Sequence, residues 1–141
     1  MKGSILALLA LIVLCAAPLS GCKADQPAED PNAVTLMTSV QYQEQLLLPP
    51  GCTLTVSLVN VSQLNVGANT VAGTTVTVQA APPYKVELRY DPLRIDNRLK
   101  YGLRARIELN GQLLFASTTR IDPFAAPPGQ PIEIPVQKIK H

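Results

Sequence analysis

From Val34 to the carboxyl terminus, apolar and polar residues alternate with a period of two. A chain that alternates this way turns every second side chain to one face of a β-strand. Val34, Leu36, Val40 and Tyr42 share one parity, with Thr35, Ser39, Gln41 and Gln43 between them. Leu54, Val56 and Leu58 alternate with Thr53, Thr55 and Ser57, and Val76 and Val78 with Thr75, Thr77 and Gln79. Val86, Leu88 and Tyr90 alternate with Lys85, Glu87 and Arg89. Tyr101, Leu103, Ala105, Ile107 and Leu109 interleave with Arg104, Arg106 and Glu108. Leu113 and Phe115 open a sixth strand, and Ile132, Ile134 and Val136 form a last one.

Breaks separate these runs. Pro49-Pro50-Gly51, a loop at residues 65–69, Pro82-Pro83 and the connection from Asp91-Pro92 to about Arg98 divide the first five. Asn110-Gly111 is a two-residue hairpin signal, because both turn positions need positive φ. Pro135 marks the last strand as an edge strand, since proline cannot donate to a ladder. Gln41 to Leu47 holds strong helix formers, but Pro49 follows too closely for a full helix. About seven or eight short strands between Pro and Gly breaks predict an all-β fold, a single compact antiparallel β-sandwich or barrel over residues 34–141, the sandwich being the reading adopted.

The amino-terminal third is built differently. Lys2 is followed by an unbroken apolar run from Ile5 to Leu14. That run is shorter than the roughly 20 residues a membrane helix needs. A positive start, a short apolar stretch and small residues before a cut site read as a secretory signal over residues 1–21. Leu19-Ser20-Gly21-Cys22 resembles the bacterial lipobox, whose cysteine thiol accepts the acyl group before cleavage. That resemblance implies lipidation of Cys22 and anchoring in a lipid bilayer by several acyl chains, since one alone binds only marginally. Lys23 in place of Asp implies the outer membrane, facing the periplasm. Lys23 to Ala33 has two prolines, three acidic residues and few apolar ones, so residues 22–33 read as an acylated cysteine on a flexible tether.

Charge changes the picture only locally. The full chain carries a formal +2, and without Lys2 and a free amino terminus it carries +1, too little to imply nucleic acid. Lys85 to Arg106, however, holds seven Lys/Arg against three Asp/Glu. Lys85 and Arg89 are expected to share a face with Arg104 and Arg106 on an adjacent strand, with Arg94 and Arg98 in the nearby turn. Such a face would steer an acidic partner segment. The plainer reading is a solvated face with cross-strand charge pairs. Once Cys15 leaves with the signal and Cys22 is acylated, Cys52 stands alone and is expected to be buried.

Reaction chemistry finds little footing. His141, the one histidine, sits at the carboxyl terminus, where chains fray, so no Ser-His-Asp or Cys-His arrangement has a positioned base. Clustered metal-ligand spacing is missing, and Asp91 before Pro92 reads as a turn residue. The chain has no Trp to build a sugar platform, and Tyr84, Tyr90 and Tyr101 fall on the apolar parity. A non-catalytic protein without cofactor or metal is expected.

Two longer stretches carry a family resemblance: "LLPPGCTLTVSLVNVS" at 47–62 and "PPYKVELRYDPLRIDNRLKYGLRARIELNGQLLFAS" at 82–117. Their ordered elements, Leu48-Pro49-Pro50, Val61-Ser62, Pro82 with Tyr84, Tyr90-Asp91-Pro92 with Ile95, Tyr101 and Gly111, resemble the YbaY/YscW lipoprotein domain. Cys52 and Asn60 depart from that pattern, where a small residue and Asp are common. The resemblance implies a periplasmic β-sandwich, and for some relatives a pilotin role, binding a secretin or other outer-membrane protein and carrying it to its membrane. It brings no catalytic residues. A small-ligand or lipid-binding envelope lipoprotein is the alternative.

Overall fold

The computed structural model describes residues 30–62 and 69–141. The signal segment, Cys22, the tether as far as residue 29 and most of the 65–69 loop lie outside the described residues. Eight strands run β1 (Val34–Gln41), β2 (Thr53–Asn60), β3 (Asn69–Thr77), β4 (Tyr84–Tyr90), β5 (Tyr101–Leu109), β6 (Gln112–Ala116), β7 (Ile132–Pro135) and β8 (Gln137–Lys138). They form two sheets, a three-stranded one in the order β4-β1-β7 and a five-stranded one in the order β3-β2-β5-β6-β8.

The alternation read from sequence becomes the core. Val40, Leu54, Val56, Leu58, Val86, Leu88, Leu103, Ile107, Phe115 and Ile134 are almost wholly buried between the sheets. At roughly 1.5–3 kcal/mol for each large apolar side chain taken from water, this layer is what holds the sheets together. The one buried polar side chain on the inner parity, Thr38, donates its hydroxyl to the Val86 carbonyl at 2.8 Å. Among the described residues no buried side-chain polar atom lacks a partner.

Asn110 and Gly111 both take positive φ, 51° and 79°, and close the β5–β6 hairpin as their sequence requires. Pro135 does end an edge strand, β7. Two features differ from the sequence expectation. β1 and β7 pair in parallel, Thr38 opposite Ile132, so the sandwich is not wholly antiparallel. The last strand is also two strands. Val136 donates its N–H to the Gln41 carbonyl at 2.9 Å, and the chain then crosses to the other sheet, where Gln137 and Lys138 pair with Ala116 and Phe115.

The segment after β1 forms no helix at Gln41–Leu47, in keeping with the nearness of Pro49. The Gln41 carbonyl that a helix would offer to residue 45 is already bonded to Val136. Tyr42 is instead buried against the core, its ring stacked on Phe115 at 4.8 Å, and its hydroxyl donates to the Leu46 carbonyl at 2.8 Å. Tertiary packing of one tyrosine overrides the helix propensity of its neighbours.

Candidate functional site

The basic residues singled out from sequence do not come together. β4 and β5 lie in different sheets, so their outward side chains leave the sandwich on opposite sides. Lys85 and Arg89 are exposed on the outer face of the three-stranded sheet, beside Ser39 and Thr35 of β1. Arg104 and Arg106 are exposed on the outer face of the five-stranded sheet, beside Ser57 and Thr55 of β2. The shared face expected for these four residues is therefore corrected to two separate faces. Period-two alternation says which side of its own sheet a residue occupies, but not which sheet the strand joins.

The two turn arginines are held by local partners. Asp96 accepts from Arg98 through Nε at 3.0 Å and Nη2 at 2.7 Å, and from the Arg98 backbone N–H at 2.9 Å. The Arg98 side chain, followed by its backbone N–H, holds the Asp96 carboxyl below the usual carboxylate range and in return raises Arg98. Arg94, in the short 3₁₀ turn at Pro92–Arg94, donates Nη1 to the Val71 carbonyl at 2.6 Å. Val71 is the residue left unpaired where the β2–β3 register slips, between Leu58 opposite Ala72 and Val59 opposite Thr70. Arg94 thus satisfies a carbonyl that the bulge removes from the ladder. On β5, Arg106 pairs with Glu108 two residues on.

A third arginine, Arg120, missed from sequence, joins Arg104 and Arg106. A Cβ placed on Gly102 would come within 3.3 Å of the Arg120 Cγ, so the bare backbone of Gly102 makes room for the Arg120 stem. Beyond the end of β6 the chain stays close to β5: Ser117 donates to the Ala105 carbonyl, and Leu103 to the Ile121 carbonyl, both at 2.9 Å. Between those two contacts Thr118 to Arg120 bow outward and, with Arg104 and Arg106, line an open cleft of about 540 Å³. Sequence alternation could not reveal it, because Arg120 belongs to no strand.

Two further clefts lie at the other end of the sandwich. Leu47, Leu48, Pro50, Val78 and Ala81 line one of about 570 Å³, with Leu47 74% exposed at its rim. The other, about 1160 Å³, lies between Gln41–Glu44 and the carboxyl-terminal residues Pro135–His141. Cys52 is fully buried, and burial raises its thiol pKa above the ordinary value. His141 points its Nε2 at the Leu113 carbonyl, 3.0 Å away, with no nucleophile in that contact. Among the described residues no group of three or more His, Cys, Asp or Glu is placed to hold a metal ion, and no helix is long and apolar enough to cross a membrane.

Two packed sheets of three and five strands around one apolar core define the protein as an all-β sandwich. Comparison with known proteins makes the class specific. The family model described as type III secretion system lipoprotein chaperone (YscW) matches residues 31–134, and the chain belongs to this family. An alternative pilotin from the type II secretion system of Vibrio cholerae has a similar structure, with a TM-score of 0.64 and 26% sequence identity. That likeness covers 74% of this chain and 97% of the pilotin. A search of curated proteins gave no match.

Proposed function

We propose that this protein is a non-catalytic, pilotin-like chaperone, anchored by lipid at Cys22 to the periplasmic face of the outer membrane, that binds a secretin or similar channel subunit and escorts it there. The observation that carries this reading is membership of the secretion lipoprotein chaperone family across most of the folded chain, supported by a pilotin as structural neighbour. The lipobox at Leu19–Cys22 supplies the anchor, and Lys23 in place of Asp directs it outward. Of the basic residues, Arg104 and Arg106 are the stronger partner contacts, because they border a cleft and Arg120 adds to their charge. Arg94 and Arg98 spend their guanidinium hydrogen bonds within the fold and do not line that cleft, whereas Arg106, although paired with Glu108, lines it. Lys85 and Arg89, on the opposite face, form a second and separate surface.

The test is crosslinking and affinity capture of the full-length lipoprotein from isolated outer membranes, together with mass analysis of its amino-terminal peptide. Capture of a channel-forming outer-membrane protein and an acylated Cys22 are expected. Capture of no protein, with lipid extracted from the purified domain instead, would favour a ligand-binding role.

A further inference from the structure

Three Asp-Pro pairs occur in the described chain, and all three fold alike. In Asp30-Pro31-Asn32, Asp91-Pro92-Leu93 and Asp122-Pro123-Phe124, the aspartate Oδ1 accepts the backbone N–H two residues on, at 3.0, 2.8 and 2.9 Å. All three turns lie at one end of the sandwich. The first leads directly into β1, whose opening residue Val34 pairs with Tyr90 at the end of β4. The second follows Tyr90 directly, and the third sets the Phe124 ring edge-on to both Tyr90 and Tyr101, each 6.2 Å away.

Proline and the aspartate cap stiffen each turn. Two of the turns hold a large apolar side chain out in water: Leu93 is 84% exposed and Phe124 48%. Val34 beside them is 41% exposed, and Leu99 is also exposed. Apolar side chains held rigidly outward in a cluster mark a contact surface. The end carries Asp30, Asp91, Asp96 and Asp122 against Arg94, Arg98, Lys100 and Arg120, so its formal charges cancel. A strongly charged partner is not what it complements.

We infer that this end is a membrane-docking face: Leu93 and Phe124 enter the interface of the bilayer to which the chain is tethered, with Tyr90 and Tyr101 behind them. The inference rests on the proposed anchor at Cys22. Its occupant follows from the route of the chain, because Val34, where the tether enters the fold, is itself part of the apolar cluster. An acyl group at Cys22 would therefore join the fold through this end, which raises the effective concentration of the face at the bilayer. Docking leaves the outer faces of both sheets, and the clefts at the far end, turned toward a protein partner.

The chain has no tryptophan, so Leu93→Trp installs a single reporter at an exposed position. The acylated Leu93→Trp protein is reconstituted into vesicles of phosphatidylethanolamine and phosphatidylglycerol, with and without brominated lipid. Acylation is verified separately by mass, so failure of the anchor and failure of docking are distinct results. A blue-shifted emission quenched by brominated lipid is expected, and it should persist at 0.5 M salt and in phosphatidylcholine vesicles. In the acylated Leu93→Trp protein, Phe124→Ser should weaken the quenching at least threefold, because the two side chains enter the interface together. A verified acylated protein with water-like, unquenched emission overturns the inference. So does a shift that appears only when solubilised outer-membrane protein is added, which would make the face a protein interface.

Discussion

Arg94 reaches from the turn after β4 to the carbonyl of Val71, 23 residues earlier, and closes the bulge of edge strand β3 with a 2.6 Å hydrogen bond. A loop cation thereby completes a strand that its neighbour in the sheet leaves incomplete. Arg94→Ala frees that carbonyl to water, a loss of about 0.5–1.5 kcal/mol for one exposed hydrogen bond. Amide hydrogen exchange should quicken in β3 around Val71 and leave β5 and β6 unchanged. Uniform protection across all strands would show that Arg94 contributes nothing to the edge.

The β5–β6 turn isolates a backbone effect. Gly111 sits at φ 79° with open space around it, so Gly111→Ala adds no clash and only the cost of a left-handed residue. That cost is about 1–2 kcal/mol. Thermal unfolding should shift down by several degrees with the native fold retained. An unshifted midpoint would mean the hairpin tolerates another turn type.

Legibility in the sequence followed the range of the interaction. Most strand positions, the Asn110-Gly111 turn and the edge position of Pro135 depend on neighbours a few residues away and stand where the pattern put them, although Tyr42, Val78 and Val136 fall just beyond their strands. The parallel pairing of β1 with β7 and the assignment of β4 and β5 to different sheets depend on residues about 50 to 100 positions apart, about which a period of two is silent. Val136 shows the limit most clearly. It keeps the inward parity of Ile132 and Ile134 and is buried with them, yet its N–H bonds Gln41 and the chain leaves the sheet there. The arginine cleft is only half legible in the sequence. Arg104 and Arg106 are conspicuous in sequence, whereas Arg120 is brought beside them by backbone contacts of its segment with β5 and packs against the bare backbone of Gly102.

Cys52 should behave as a core residue. Its thiol is fully buried, and that burial raises its pKa, so the reactive thiolate is scarce as well as shielded. In the mature Cys22→Ser protein, a maleimide should label it only after denaturant unfolds the domain. Prompt labelling of the native protein would place the thiol within reach of solvent.

Burial first, and then its hydrogen bond with Tyr42, raises the Tyr84 phenol well above its ordinary value of 10.0. Between that value and the raised one the folded state holds a proton that the unfolded chain gives up, so stability falls as pH rises past about 10. Denaturation midpoints should therefore decline from pH 10 upward, and the decline should be shallower in Tyr84→Phe. Equal slopes in the two proteins would assign the alkaline loss elsewhere, for example to Tyr90, whose pKa burial also raises.

Because the two basic faces are separate, charge reversal should separate their roles. Arg104→Glu with Arg106→Glu is expected to weaken partner capture at least tenfold while the fold is kept. Lys85→Glu with Arg89→Glu should alter it less than threefold. Equal losses from both pairs would mean that the partner wraps the sandwich, and unchanged capture by a folded Arg104/Arg106 variant would remove the cleft from the interface.

The most direct measurement of the proposed role is the location of the captured channel protein in cells making the wild type or Cys22→Ser, read by separating inner and outer membranes on a density gradient. The expected result is a channel found in the outer membrane with the wild type and displaced from it with Cys22→Ser, although the variant still binds. A channel that reaches the outer membrane equally in both would contradict a lipid-anchored escort.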